Sequence, residues 1–195
     1  MTRASRHPAR RWLSKMALVL FTGLLSVGPA AHADHDRFFT GVHFPTVSEF
    51  VDRNGITVTY KGPSEEEFQK FLRVFLASEI LYRDFSEREN EICKSKRLTV
   101  YDIPYELLND KQQTRFVNWE GRNRIYGFYD PVDGGPGESG MFLSYSAEIK
   151  PFQRQYIMAH ESAHYWQNVL CGKRRAVTEI EAEADAFGKY YIALH

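Results

Sequence analysis

The 195-residue sequence predicts an α+β fold, a small and mostly antiparallel sheet packed on helices. Three observations carry that prediction. Short runs rich in β-branched and aromatic residues, such as "ITVTY" and "GMFLSYS", recur along the middle of the chain between turn-forming residues. A long segment with phenylalanines at helical spacing stands between the first two of these runs. Two further helical patterns close the chain, and no strand pattern follows them.

The elements follow in chain order. Residues 1–33 hold Arg3, Arg6, Arg10, Arg11 and Lys15 without an acidic residue, then an apolar run from Met16 to Val27, then Ala31-His32-Ala33. A basic start, a short apolar run and a small-x-small end form the pattern of a secretory signal peptide, with cleavage expected after Ala33. The apolar run falls short of the roughly 20 residues that span a bilayer, so no stable membrane anchor is expected once it is removed. The mature protein is therefore expected in a periplasm or outside the cell. Residues 34–195 are expected to form one domain, since about 160 residues suit a single core.

The stretch "DHDRFFTGVHFPTVSEF" has no clear period and reads as an extended arm crossing the surface. Asn54-Gly55 is a turn signal ahead of an alternating run, which makes Ile56 to Tyr60 a strand. Ser64 with Glu67 forms a capping-box signature, and Phe68, Phe71, Leu72, Phe75, Leu76 and Ile80 then recur at helical spacing. Those phenylalanines belong to a core. Leu98 to Tyr101 is a short strand, ended by Pro104. "YELLNDKQQTRFVNWEGRN" is ambiguous between a short helix and irregular structure. "RIYGFYDPV" and "GMFLSYS" are two strands separated by "DGGPGESG", a flexible connector rather than a phosphate loop because no Lys-Ser/Thr follows and no helix opens on it. A helix is expected from Pro151, which suits a first turn, to about Leu170, with Gly172 as its stop. The last helix is expected from about Val177 to the C-terminus.

Loss of the leader removes five basic residues and no acidic one, leaving 20 Lys and Arg against 25 Asp and Glu, a net charge of −5. That balance argues against a nucleic-acid partner, which would call for a basic surface. Cys93 and Cys171 are the two cysteines of the chain. In an exported protein oxidising conditions let disulfides persist, so a structural bridge between them is expected.

Residues 158–172 read "MAHESAHYWQNVLCG", in which His160-Glu161-Ser162-Ala163-His164 is an HExxH sequence. Residues four apart on a helix point the same way one turn apart, so both imidazoles can bind one Zn²⁺ while Glu161 faces the same cleft as a base. Chance alone would place such a motif in roughly 2% of chains of this composition, so the surroundings decide its meaning. At about 100° per residue, Phe152, Tyr156, Ala159, Ala163, Trp166, Val169 and Leu170 share an apolar arc. Gln153, His160, Glu161, His164 and Asn168 fall opposite, on a polar face without a lysine, which suits a cleft wall better than a solvated surface.

Catalytic zinc takes three protein ligands and leaves a fourth position open. Seventeen residues after His164 stands Glu181, followed one turn later by Asp185 on the same helix face. Glu181 is the expected third ligand, and Asp185 the partner of a ligand histidine's other nitrogen. Glu179 and Glu183 compete for the ligand role. The neighbours Ala184 and Phe187 suit close packing against another helix.

HExxH followed by Glu-x-x-Ala-Asp-x-Phe resembles the gluzincin zinc metallopeptidases. "AHESAHYWQNVLCG" and "IEAEADAFG" resemble the two motif segments of the neutral zinc metallopeptidase family, with Gly188 one place off, and the likeness covers about residues 125 to 190. The resemblance implies a zincin-like domain with Zn²⁺ on His160, His164 and Glu181, Glu161 as base and Asp185 behind the ligands. It implies hydrolysis of a peptide or protein substrate. Tyr145, Tyr190, Tyr191 and His195 are candidate donors to a developing oxyanion. "GMFLSYS" is the expected sheet edge along which a peptide would lie. The alternatives are an inactive zinc-binding module and a hydrolase of non-peptide amides in cell-wall material.

Overall fold

Connection length decides the strand directions in this protein. The computed structural model describes residues 39–86, 91–92, 97–117, 124–131, 139–146, 148–171 and 176–195. The expected leader at 1–33, Cys93, Gly172 and most of "DGGPGESG" lie outside the described residues. Strands β1 (Thr46–Val51) and β2 (Thr57–Gly62) meet across the tight Asn54-Gly55 turn and pair antiparallel. Gly55 has φ 74°, a left-handed conformation that glycine takes without strain. Helix α1 (Glu65–Ser86) then carries the chain over the sheet to β3 (Arg97–Pro104), and such a crossover makes β2 and β3 parallel. The short helix α2 (Asp110–Gln113) precedes β4 (Gly127–Asp130) and β5 (Ser139–Tyr145); β5 pairs parallel to β3 and antiparallel to β4. Helices α3 (Pro151–Val169) and α4 (Val177–Leu194) complete the order.

The α+β class is thus what the structure has, and His32–His195 form one compact unit. The sheet order is β1-β2-β3-β5-β4. The outer pairs are antiparallel as expected, while the two inner pairs are parallel. Two corrections follow from that order. First, β5 is hydrogen-bonded on both sides, so the edge next to it is β4 and not "GMFLSYS". Secondly, the expected arm contains an edge strand, β1. Its outward face includes Val47 and Val51 while Thr46 and Ser48 lie on the half-buried face, so the usual polarity alternation is absent.

Helices α1 and α3 cover one face of the sheet, and α4 packs on both helices. Their core joins Phe71, Phe75, Met158, Ala159, Ala163, Trp166 and Phe187 to Val58, Leu98, Val100, Met141 and Leu143 of the strands. Strand register builds the other face. Tyr101 is opposite Phe142, which is opposite Phe128, and the rings stack at 5.1 Å and 4.5 Å across the three strands. Phe39, Leu108 and Phe116 from the flanking segments cover that ladder. Part of the ambiguous stretch after Pro104 thereby has a purpose: the Asn109 side chain accepts from Gln112 N and caps α2, which brings Leu108 and Phe116 onto the sheet. No helix among the described residues is long and apolar enough to cross a membrane.

Cys171 holds no free thiol. Its pairing with Cys93 stays a proposal.

One buried ion cluster fixes α3 on this frame. Arg154 Nη2 donates to Asp102 Oδ2 of β3 at 2.6 Å and to Glu67 Oε2 of α1 at 2.9 Å. Tyr60 Oη of β2 donates to the same Asp102 oxygen at 2.6 Å. Burial raises the Asp102 carboxyl above its ordinary range, and Arg154 and the Tyr60 bond pull against that rise. Replacing Arg154 by Leu strands a fully buried carboxylate and should cost about 3–5 kcal/mol. Urea unfolding is the check, and Arg154→Leu combined with Asp102→Asn should lose less than Arg154→Leu alone.

Candidate metal centre

The centre is built where α3 and α4 cross. Pro151 starts α3, with the Gln153 side chain accepting from Lys150 N at 2.9 Å. Ala159 and Ala163 are fully buried on α3, as are Ala184 and Phe187 on α4. Small residues on both sides let the helix axes approach. Phe152, expected on the apolar arc, is instead 54% exposed. From Met158 to Trp166 every residue but His160 is buried, and His160 is nearly so.

His160 Nε2 and His164 Nε2 converge to 3.1 Å. Glu181 Oε2 of α4 lies 3.7 Å from the first and 3.4 Å from the second. Three points so separated lie on a circle of about 2.0 Å radius, the ordinary length of a zinc to nitrogen or oxygen bond. The donor set therefore fits one divalent ion. Glu181 is 58% exposed, so solvent reaches the centre from its side. Glu179 and Glu183 are engaged elsewhere: Glu179 Oε2 accepts from Ala176 N at the start of α4, and Glu183 Oε1 accepts from Tyr82 Oη.

Glu161 places a carboxylate oxygen within 4.8 Å of both imidazoles. It is 4% exposed, and its Oε2 is buried without a hydrogen-bond partner. A buried acceptor left without a donor implies a polar guest. Burial raises the Glu161 carboxyl above its ordinary 4.5, His160 and His164 pull it down, and Glu181 pushes it up. Its position depends on Gly127 of β4. A Cβ at Gly127 would sit 2.8 Å from Glu161 Cγ and Oε1 and 2.9 Å from Ile157 Cγ2. The edge strand thus lies directly against the expected base.

Behind the ligands, Asp185 Oδ1 is 3.1 Å from His160 Nδ1, close enough to bond but poorly aligned, and the nitrogen is otherwise buried without a partner. Tyr156 Oη donates to the same Asp185 oxygen at 2.8 Å. The Tyr156 ring lies over Gly188, where a Cβ would approach Tyr156 Cε2 to 2.7 Å. Gln167 Oε1 is 2.8 Å from His164 Nδ1. Gly127, Tyr156 and Gln167 were not among the residues expected from sequence. The spacing of Gln167, three after His164, is a usable signal; Gly127 has none, since its neighbour comes from another element.

The candidate oxyanion donors lie in other surroundings. Tyr145 has the Arg154 guanidinium over its ring, Tyr190 stacks on Phe85, and Tyr191 stacks on His195 at 4.3 Å. The structure gives none of them a contact with the two histidines.

Two expected outcomes follow. Gly127→Ala should push Glu161 and Ile157 aside and cost about 1–3 kcal/mol by overpacking, measured by denaturant unfolding; an unchanged midpoint would show that the carboxylate moves freely. The second concerns pH. In the metal-free protein burial opposes a charged His164, but Glu181, Glu161 and Gln167 together outweigh it and hold the imidazole above its ordinary 6.5. Bonds to His160 and His164 hold Glu181 well below its ordinary 4.5, against its partial burial. The raised histidine contributes stability that is full below 6.5 and is lost as pH rises through its folded value. The depressed carboxylate contributes stability that is present above 4.5 and is lost as pH falls through its folded value. The metal-free chain should gain most from this pair between those ordinary values, whereas a bound cation competes with protons and should stabilise most at higher pH. Thermal unfolding from about pH 4 to about pH 9, with and without zinc, should give curves that diverge as pH rises; parallel curves refute this.

No family model, no curated protein and no solved structure matches this chain.

Proposed function

We propose that this protein is a secreted zinc-dependent metallopeptidase of the gluzincin kind, which hydrolyses peptide bonds. The observation that supports it best is the convergence of His160 Nε2, His164 Nε2 and Glu181 Oε2 beside the buried Glu161 carboxylate, whose Oε2 has no hydrogen-bond partner. His160, His164 and Glu181 would hold the ion. When bound, zinc supplies a Lewis acid for the scissile carbonyl and for water. Glu161 takes a proton from the attacking water and delivers it to the leaving amine, a role suited to a carboxyl whose burial raises it toward neutrality. A structural zinc site would close its fourth position with a protein ligand. Here the exposed side of Glu181 leaves room for substrate.

The strand order moves the proposed peptide track from β5 to β4. Among the described residues β4 (Gly127–Asp130) ends the sheet, with β5 on its inner side, and Gly127 abuts Glu161. A peptide added there as a further strand would lie beside the base. Tyr129 points into the sheet side of this edge, where its hydroxyl donates to Ser139 Oγ and accepts from Asn168 Nδ2. That ties the edge strand to α3.

The mature protein should bind zinc stoichiometrically and cleave members of a broad peptide library. Glu161→Gln should lower kcat/KM by about 10²–10⁴-fold with zinc content unchanged, as expected for loss of a general base. Stoichiometric zinc with no difference between the two proteins would instead indicate a zinc-holding interaction module. Cleavage of cell-wall amides but not peptides would indicate the non-peptide hydrolase. No zinc at all would sink all three.

A further inference from the structure

The imidazole of His164 can present a bare nitrogen to a metal only if its single proton sits on the other nitrogen. Gln167 decides that question through a carbonyl on the neighbouring helix. Its Nε2 donates to Ile180 O in the first turn of α4 at 2.8 Å, and its Oε1 stands 2.8 Å from His164 Nδ1. A carbonyl oxygen has no proton to give, although its second lone pair can accept one bond beyond the helical one. The end of the amide that faces Ile180 must therefore be the NH₂ group. The opposite end is then the amide oxygen, which can only accept. His164 Nδ1 must carry the hydrogen, and Nε2 is left with its lone pair directed at His160 Nε2 and Glu181 Oε2.

We propose that Gln167 is a positioning residue that sets the His164 tautomer, using the Ile180 carbonyl of α4 as its reference. The rest of the cluster agrees with this assignment. His160 Nδ1 lies 3.1 Å from the Asp185 carboxylate, which only accepts when ionised and so favours the hydrogen on Nδ1 and a bare Nε2. Three acceptors then meet with no donor among them, an arrangement that calls for a cation. Gln167 is half-buried, which shields its two bonds from competing water. The tautomer stands independently of the proposed peptidase activity; that Nε2 serves a zinc ion rests on it.

The test is ¹⁵N spectroscopy of the histidine side chains in the metal-free mature protein, at a pH where the imidazoles are neutral. His164 should be the Nδ1–H form. Gln167→Leu removes the acceptor and should shift His164 toward the Nε2–H form. Gln167→Glu keeps an acceptor for Nδ1 but loses the donation to Ile180, and should retain the Nδ1–H form. A residue that merely tethers α4 would predict that neither variant changes the tautomer. In a zinc titration, Gln167→Leu should weaken binding by about 10–100-fold, as is usual for loss of a group that orients a ligand, and Gln167→Glu by less. Finding wild-type His164 as Nε2–H overturns the proposal without recourse to a variant, as does an unchanged tautomer in Gln167→Leu. A wild-type protein with His164 as Nδ1–H that binds no zinc leaves the tautomer assignment in place and removes the peptidase reading.

Discussion

The bond between Arg154 and Asp102 anchors everything that follows. Asp102 is buried at the centre of the sheet on β3, a place where a lone carboxylate would be costly. Arg154 answers it from the end of the first turn of α3, and Glu67 on α1 and Tyr60 on β2 bind to the same pair. Four elements thus meet at one ion cluster. Hydrophobic packing lets a helix slide or rotate on a sheet at modest cost, whereas a buried, hydrogen-bonded charge pair holds one register. His160 and His164 lie two and three turns further along the same rigid rod. Their aim at α4 is inherited from that anchor.

The far side of the centre has a different origin. Glu181 and Asp185 are surface residues held in place because Ala184 and Phe187, between and beyond them, are buried against α3 and α1. The same crossing lets Tyr156 reach Asp185 and Gln167 reach the Ile180 carbonyl. Apolar contact and polar orientation therefore work at the same helix pair. Glu161, by contrast, faces the sheet, where Gly127 gives it room.

Much of this centre was legible in the sequence because a helix converts spacing into direction with little loss. His160, His164, Glu161, Glu181 and Asp185 could each be assigned a side from a 100° step, and the structure brings all five together. Strand order is a different kind of information. Nothing within "GMFLSYS" or "RIYGFYD" tells which of the two has a neighbour on its far side, so the edge was assigned to β5 when it belongs to β4. β1 was missed for a related reason: Val47 and Val51 point outward, against the rule that apolar residues face the core. Tyr156 was counted for its ring, and its hydroxyl bond to Asp185 was invisible because that partner lies 29 positions away.

Glu181 belongs to a different helix from the two histidines, and this has a consequence for how the molecule comes apart. A site whose ligands all sat on α3 would exist even in a chain whose last helix had frayed. Here the cluster exists only while α4 is docked, so any ion that binds it also binds the docked state. Loading should therefore act as a thermodynamic clasp on the C-terminal helix, while the opposite, aromatic-laddered face of the sheet stays indifferent to it. Opening would begin at α4 when the clasp is empty, and move to the more global modes of unfolding once it is filled.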